Sequence, residues 1–334
     1  MRKGYYFLLS VILGFGITTF LTTAKPKEAY ADARSEIAME LTTGKVLSES
    51  NADAKLPMAS TTKILTAIII IEDCNLDEVI FVPEEAAGVE GSSVYLKKGE
   101  EIDVRDLLYG LMLRSGNDCA AALAIHHSGS IQKFAEAMND KAQKIGTENS
   151  NFTNPSGLPD DNHYTTARDL CKIACYARRN ETFSNVVSTK NYNGKFRTFV
   201  NKNKMLRLYE GANGIKTGYT LKAGRCLVSS AKRNDMDVVC VVLNCPDMYE
   251  RSCAILDECF NGFKLLKIGA NKVFMCGILP CKLLNSANIV IKINEDLNYK
   301  VIPNNNDKEK FIATLELYNE NCLIFSEKLY NINV

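Results

Sequence analysis

The stretch LPMASTTKILTA, Leu56 to Ala67, runs on into a block of isoleucines that ends at Ile71. Read as one helix, the segment from Ser60 to Ile71 is aliphatic on nearly every side, and such a helix belongs inside a core. The rest of the chain must therefore wrap around it. Its head carries Ser60 and Lys63, three positions apart and so on one helical face. That spacing suits an ordinary helix start, and it equally suits a nucleophile with its base one turn away. The same S-x-x-K string recurs at Ser130 and Lys133, so the string alone selects neither reading.

The chain is long enough to build the core this helix needs. Its 334 residues are 46% hydrophobic and 24% charged, a globular balance that fits one large or two modest domains. A formal net charge of +1 gives no reason to expect nucleic-acid binding. The N-terminus is unlike the rest. Arg2 and Lys3 precede an apolar run from Tyr5 to about Leu21, and Ala29-Tyr30-Ala31 supplies a small-x-small cleavage site. This predicts a secretory signal peptide over residues 1–31, with an uncleaved N-terminal anchor as the other reading. Either way the body of the protein is expected outside the cytoplasm, at the cell wall or the outer face of the cell membrane.

All twelve cysteines follow the leader. In an exported chain that suggests disulfides. Cys119, Cys171, Cys175, Cys226 and Cys240, however, sit in apolar runs, where a free thiol acts as a small hydrophobe. Mostly reduced, buried thiols are expected. There is no C-x-x-C pair, and His126, His127 and His163 are not spaced with cysteines as zinc ligands would be. Neither a metal nor another cofactor is expected.

Elements run strand, helices, strands, then short β-rich runs. Ile37 to Glu49 reads as two strands around a Thr-Gly-Lys turn. GVEGSSVYLKKGEEI is strand and turn material. Val104 to Gly129 is helical on both sides of a break at Ser115-Gly116. Ser130 to Gly146 and Thr165 to Arg179 are amphipathic helices, and Ile215 to Asn244 is dominated by strands with a polar turn at Lys232 to Asp237. From about Ala270 short β runs alternate with Asn and Lys. The order argues for an α+β fold, with a catalytic domain over residues 32–268 and a small β-rich domain over 269–334.

Two further short signals lie downstream of Ser60: Ser115-Gly116-Asn117 at the helix break, and Lys216-Thr217-Gly218 in GIKTGYTLKAG. Each is weak alone, and Ser286-Ala287-Asn288 is a decoy for the first. Their order carries the weight, because no such set can follow Ser130. A serine hydroxyl needs a base in reach, and a lysine is a base only when neutral. Burial and a second cation, Lys216, favour the neutral form. Ser115 can relay a proton to a leaving amine. Asn117 can hold Lys63 and donate to a substrate carbonyl. Gly218 leaves an edge strand open to a substrate backbone, and the N–H groups of Ser60 and Tyr219 form a candidate oxyanion hole. No G-x-S-x-G elbow supports a Ser-His-Asp triad.

In this order the motifs resemble the penicillin-binding and β-lactamase-like serine enzymes. More closely, LPMASTTKILTA, EGSSVYLKKGEE, DLLYGLMLRSGNDCAAALA, FTNPSGL, HYTTARDL and NGIKTGYTLKAGRCLVSSA resemble successive blocks of the D-alanyl-D-alanine carboxypeptidases, the low-molecular-weight penicillin-binding proteins. That resemblance implies an antiparallel sheet flanked by helices. It implies removal of the terminal D-alanine from peptidoglycan pentapeptide stems through a Ser60 acyl-enzyme, with penicillin as inhibitor. Lys63 would be the base, Ser115 and Asn117 the relay, and Lys216, Thr217, Gly218 and Tyr219 the substrate strand. Arg251 stands where the family holds the substrate carboxylate, and Lys202 where it often has another arginine. No amphipathic anchor helix closes the chain, so membrane association would be peripheral or N-terminal. A D,D-endopeptidase, a β-lactamase and a non-catalytic sensor are the alternatives. The E-x-x-x-N string at Glu181 and Asn185, expected in a loop, lies too far from Ser115 to serve a class A β-lactamase.

Overall fold

The aliphatic segment after Ser60 forms the expected helix and is buried along most of its length. A 3-10 turn, Ala59–Thr62, leads into α1 (Lys63–Asp73), whose first eight residues are all buried. The computed structural model describes residues 34–304, 306 and 309–332. The expected leader over residues 1–31 lies outside them. From residue 34 on, the chain packs as one compact unit.

The chain opens with the strands β1 (Ser35–Glu40) and β2 (Val46–Ser50). After α1 come the paired short strands β3 (Val79–Phe81) and β4 (Glu101–Asp103). The helices α2 (Val104–Tyr109), α3 (Asn117–Ser128), α4 (Ile131–Ile145), α5 (Ala167–Arg178) and α6 (Glu181–Ser188) follow. A small pair, β5 (Asn191–Asn193) with β6 (Thr198–Val200), and a single turn, α7 (Met205–Leu208), lead to three long strands. These are β7 (Ala212–Thr220), β8 (Gly224–Arg233) and β9 (Met236–Leu243), and α8 (Met248–Gly262) ends the region.

The main sheet has the order β2-β1-β9-β8-β7 and is antiparallel throughout, so β7 is an edge. The β8–β9 hairpin turns on Asn234 and Asp235, both with positive φ (47° and 69°), as a tight two-residue turn demands. Alternation divides the sheet's faces. Ile37, Val241, Val228 and Lys216 share one row. Ala38, Cys240, Val242 and Leu227 face the other way and pack with Ile255 and Leu256 of α8. On the first face α5 lies on β1 and β9, and α1 is enclosed by α3, α4, α5 and α6.

Two segments differ from expectation. GVEGSSVYLKKGEEI is strand only at its end, Glu101–Asp103; the rest is an irregular loop tied by side chains rather than by a ladder. Glu181 and Asn185 lie in α6 instead of a loop, because the Asn180 side chain caps that helix by accepting from the Phe183 N–H at 3.1 Å.

The β-rich end starts directly after α8, earlier than the expected boundary at residue 269. β10 (Phe263–Ile268) pairs with β13 (Ala287–Lys292). β11 (Val273–Cys276), β12 (Leu279–Lys282), β14 (Leu297–Pro303), β15 (Ala313–Asn319) and β16 (Cys322–Asn331) form a second sheet, ordered β11-β12-β16-β15-β14. Its core includes Ile268, Cys281, Leu283, Ile291, Leu315 and Leu329.

The second S-x-x-K string proves to be a helix cap. Ser130 Oγ accepts from the Lys133 backbone N–H at 3.2 Å, and α4 ends at Gly146 with φ +94°. Ser130→Ala should cost about 1 kcal/mol of stability in urea unfolding and leave any chemistry at Ser60 unchanged. A loss of that chemistry would overturn the cap reading.

Candidate active site

The head of α1 is held in an uncommon backbone shape. Ala59, just before the serine, has φ +49°, a left-handed conformation that a β-carbon disfavours. Three contacts keep it there. The Thr62 hydroxyl donates to Ala59 O at 2.9 Å. His163 Nδ1 accepts from the Thr153 N–H at 3.0 Å, so Nε2 carries the proton and donates to Thr62 Oγ1 at 2.8 Å. Gly157, at φ +84°, backs on to the same carbonyl; a β-carbon there would lie 1.9 Å from Ala59 O.

Lys63 sits inside this frame with no exposed surface. Its Nζ is 3.0 Å from Ser60 Oγ, 2.7 Å from Asn117 Oδ1 and 2.6 Å from Ser156 O. Burial pushes the ammonium well below its ordinary pKa, and the nearby Lys216 adds to the effect. A neutral amine has two N–H bonds and one lone pair. Asn117 Oδ1 and Ser156 O can only accept, so they take both N–H bonds. The lone pair is left for the Ser60 hydroxyl. The geometry therefore describes a serine paired with its base.

The loops that supply those acceptors were the part sequence reasoning missed. Asn154 Oδ1 accepts from the N–H groups of Ser156, Gly157 and Leu158 at 3.2, 2.8 and 3.1 Å. This Asx-type turn aims Ser156 O at Lys63. The Asn-Pro-Ser-Gly string was its sequence signal. Asp118, fully buried, accepts from Ser93 Oγ at 2.6 Å and from the N–H groups of Val94 and Leu96 at 3.0 and 3.1 Å. It ties the 90–96 loop to the start of α3. The only signal for it was an acid placed just after Ser-Gly-Asn.

Ser115 lies at the expected helix break, at φ 66° and ψ 32°, 8% exposed. A left-handed serine ends the preceding wide turn, Gly110–Arg114, and brings Asn117 to the head of α3. The Asn117 carboxamide bridges two loops, since Nδ2 donates to Glu90 O at 2.6 Å while Oδ1 faces Lys63.

Strand β7 forms the opposite wall. Lys216 is buried and donates to Thr217 O at 2.8 Å. Burial, and then the charge of Lys202, pull its pKa down to about 7. At Gly218 a β-carbon would lie 3.1 Å from both Ser60 N and Met58 O, so glycine lets the edge strand approach the nucleophile turn closely. Between the walls is a cleft of about 400 Å³, lined in part by Ser60, Asn117, Ser156, Leu158, Tyr219 and Leu221.

Ser60, Lys63, Asn117, Lys216 and Gly218 thus converge, with Ser115 and Thr217 beside them and Tyr219 at the mouth. Arg251 does not join them. Its guanidinium is committed to Glu36, donating at 2.6 and 3.0 Å, and α8 holds it on the sheet face opposite Lys216. Glu36 and Thr217 lie in one cross-strand row, three strand spacings or about 14 Å apart. The charge of Glu36 captured the arginine that was expected at the substrate. His126 and His127 face Glu78 and Asp73 on the outside of α3.

Comparison with known proteins agrees with this geometry. The family model for Peptidase S11, D-alanyl-D-alanine carboxypeptidase, matches residues 21–247. The D-alanyl-D-alanine carboxypeptidase DacF of Bacillus subtilis is 34% identical over 278 residues, covering 77% of this chain and 71% of that one. A D-alanyl-D-alanine carboxypeptidase of a Streptomyces species is 36% identical over 68% of this chain and 85% of its own. Among solved structures, penicillin binding protein 5 of Haemophilus influenzae superposes with a TM-score of 0.76 at 27% identity, covering 90% of this chain and 97% of that one.

His163 gives this site a test of its own. Burial holds its pKa at about 4, against an ordinary value near 6.5. Between those pH values the unfolded chain binds the proton and the folded chain does not, so stability must fall as pH drops through that window, by up to ~3 kcal/mol. His163→Gln should flatten this slope in urea titrations between pH 4 and 6.5. An unchanged slope would overturn the assignment of a buried neutral imidazole.

Proposed function

The chain belongs to the D-alanyl-D-alanine carboxypeptidase family of serine peptidases, and from that premise we propose how its residues divide the work. It is a serine-type D-Ala-D-Ala carboxypeptidase. The observation that carries the mechanism is the contact of the buried Lys63 amine with Ser60 Oγ.

A stem peptide lies along the exposed edge of β7, and its D-Ala-D-Ala carbonyl faces Ser60. The hydroxyl oxygen attacks that carbonyl as its proton passes to the lone pair of Lys63. The negative oxygen of the tetrahedral intermediate accepts from the N–H groups of Ser60 and Tyr219. As the peptide bond breaks, Ser115 relays a proton to the leaving nitrogen of the terminal D-alanine. Water then cleaves the Ser60 ester and releases the shortened stem. The terminal carboxylate is drawn to Lys216 and the Thr217 hydroxyl. Since Arg251 is engaged elsewhere, Lys202 supplies the second positive charge near that point.

β-Lactams acylate the same serine. A carboxylate positioned to speed hydrolysis of that ester is not supplied by Glu181, which is exposed on α6. Slow release, and hence inhibition, follows. The proposed setting is extracytoplasmic, and the basic start, apolar run and Ala-Tyr-Ala site of residues 1–31 support it.

The decisive assay is D-alanine release from a diacyl-Lys-D-Ala-D-Ala tripeptide, with labelled penicillin as probe. Ser60→Ala should lose both turnover and labelling by at least ~10³-fold. Labelling that persists would place the nucleophile elsewhere. A second outcome concerns pH. kcat/KM reports the free enzyme, so it should fall as pH rises through about 7, where Lys216 loses its charge. kcat should hold to higher pH, because a bound carboxylate retains the ammonium. Lys202→Gln removes a charge that depresses Lys216, so the alkaline limb should move upward. An unmoved limb would remove Lys202 from the site.

A further inference from the structure

Residues 259–294 contain five lysines and no acidic residue, in a chain whose overall charge is close to neutral. This stretch folds into β10, the β11–β12 hairpin and β13, beyond the part of the chain that the family model matches. The hairpin turns at Gly277, φ +61°. At its tip Ile278 is 91% exposed and Leu279 59%, and Met275 and Val273 on the adjoining strand are 56% and 54% exposed.

Pairing sets Val273 opposite Lys282 and Met275 opposite Pro280 on one face, while Phe274 and Cys281 turn inward to the core. The hairpin is therefore apolar toward its tip and basic at its base, with Lys282 on the outward face and Lys272 on the other, its ammonium 6.0 Å from the centre of the Phe274 ring. Next to it an apolar cleft of about 350 Å³ opens between Met275 and Tyr299, and Tyr299 is 64% exposed. Lys267 pairs with Asp235 at 3.3 Å and Lys264 donates to Ile293 O.

We propose that the β11–β12 hairpin is a membrane-docking element: Ile278, Leu279 and Met275 enter the acyl boundary of an anionic bilayer, and Lys272 and Lys282 meet its phosphate headgroups. Apolar tip residues with lysines behind them match the layering of such a surface, apolar inside and anionic at the headgroup. An exposed tyrosine, Tyr299, beside the cleft suits the interface. A second copy of this chain is disfavoured, because two hairpins carrying lysines and no acid repel one another. The docking rests on the extracytoplasmic placement proposed above, but its test does not use activity as the readout of binding.

The test uses the chain from Ala31 onward, the compact unit, so that the N-terminal apolar run does not contribute. It is sedimented with phosphatidylglycerol–phosphatidylcholine vesicles and with phosphatidylcholine vesicles alone. Binding to the anionic vesicles, weakened by salt, is expected. Ile278→Asp with Leu279→Asp should reduce it by roughly tenfold or more, and Lys272→Gln with Lys282→Gln should weaken it and lower its salt dependence. Unchanged turnover of the soluble tripeptide in the tip variant shows that the fold is intact. If the parent chain does not sediment with anionic vesicles, or the tip variant binds as well as the parent, the proposal fails. A dimer that the tip variant abolishes would assign the face to a second copy and overturn it too.

Discussion

The site depends on one buried amine. A lysine placed beside a serine in water would be protonated and useless as a base; Lys63 works because the fold denies its ammonium solvent. Burying an isolated charge costs several kcal/mol, and the group meets that cost by giving up its proton. Each neighbour takes part in the same arrangement. The aliphatic body of α1 fills the core behind it, Lys216 contributes a repelling charge, and the two polar partners, Asn117 Oδ1 and Ser156 O, are acceptors without formal charge. A carboxylate in either position would restore the ammonium and disable the base.

Keeping such a residue aligned requires stiff surroundings, and the structure supplies them by side-chain-to-backbone bonds in loops. Asn154 shapes the Ser156 turn, Asp118 pins the 90–96 loop, and His163 reaches Ala59 through Thr62. All three are buried or half-buried and well satisfied, the condition under which polar networks rigidify a fold. The edge position of β7 is the complementary choice. An unpaired strand edge is normally a liability; here it is the surface on which a peptide backbone can add, and Gly218 brings it against the nucleophile turn.

This division explains what the sequence made legible. Periodicity and caps located α1, α4 and α5, and the motif order separated Ser60 from Ser130, which the structure shows capping α4. The loop network was hidden, because an asparagine or aspartate that bonds backbone N–H groups leaves no repeating pattern. Arg251 misled for another reason. Its position after the last long strand fitted a substrate contact, but Glu36, distant in sequence and adjacent in the sheet, decides where the guanidinium points. Contacts between remote charges are set by topology, and one chain's residues do not announce them.

The Arg251–Glu36 pair also shapes how a free carboxylate can be recognised here. A guanidinium holds a carboxylate by two parallel bonds and fixes its orientation. With that group occupied, the proposed mechanism leaves attraction to the ammonium groups of Lys216 and Lys202, which act as point charges. Lysines of this kind are tunable in a way arginine is not: burial lowers both, and the charge of Lys202 adds to the effect at Lys216 as that of Arg114 does at Lys202. An anion entering the cleft relieves that repulsion and raises their proton affinity, so binding of the carboxylate and full charging of its receptors favour one another.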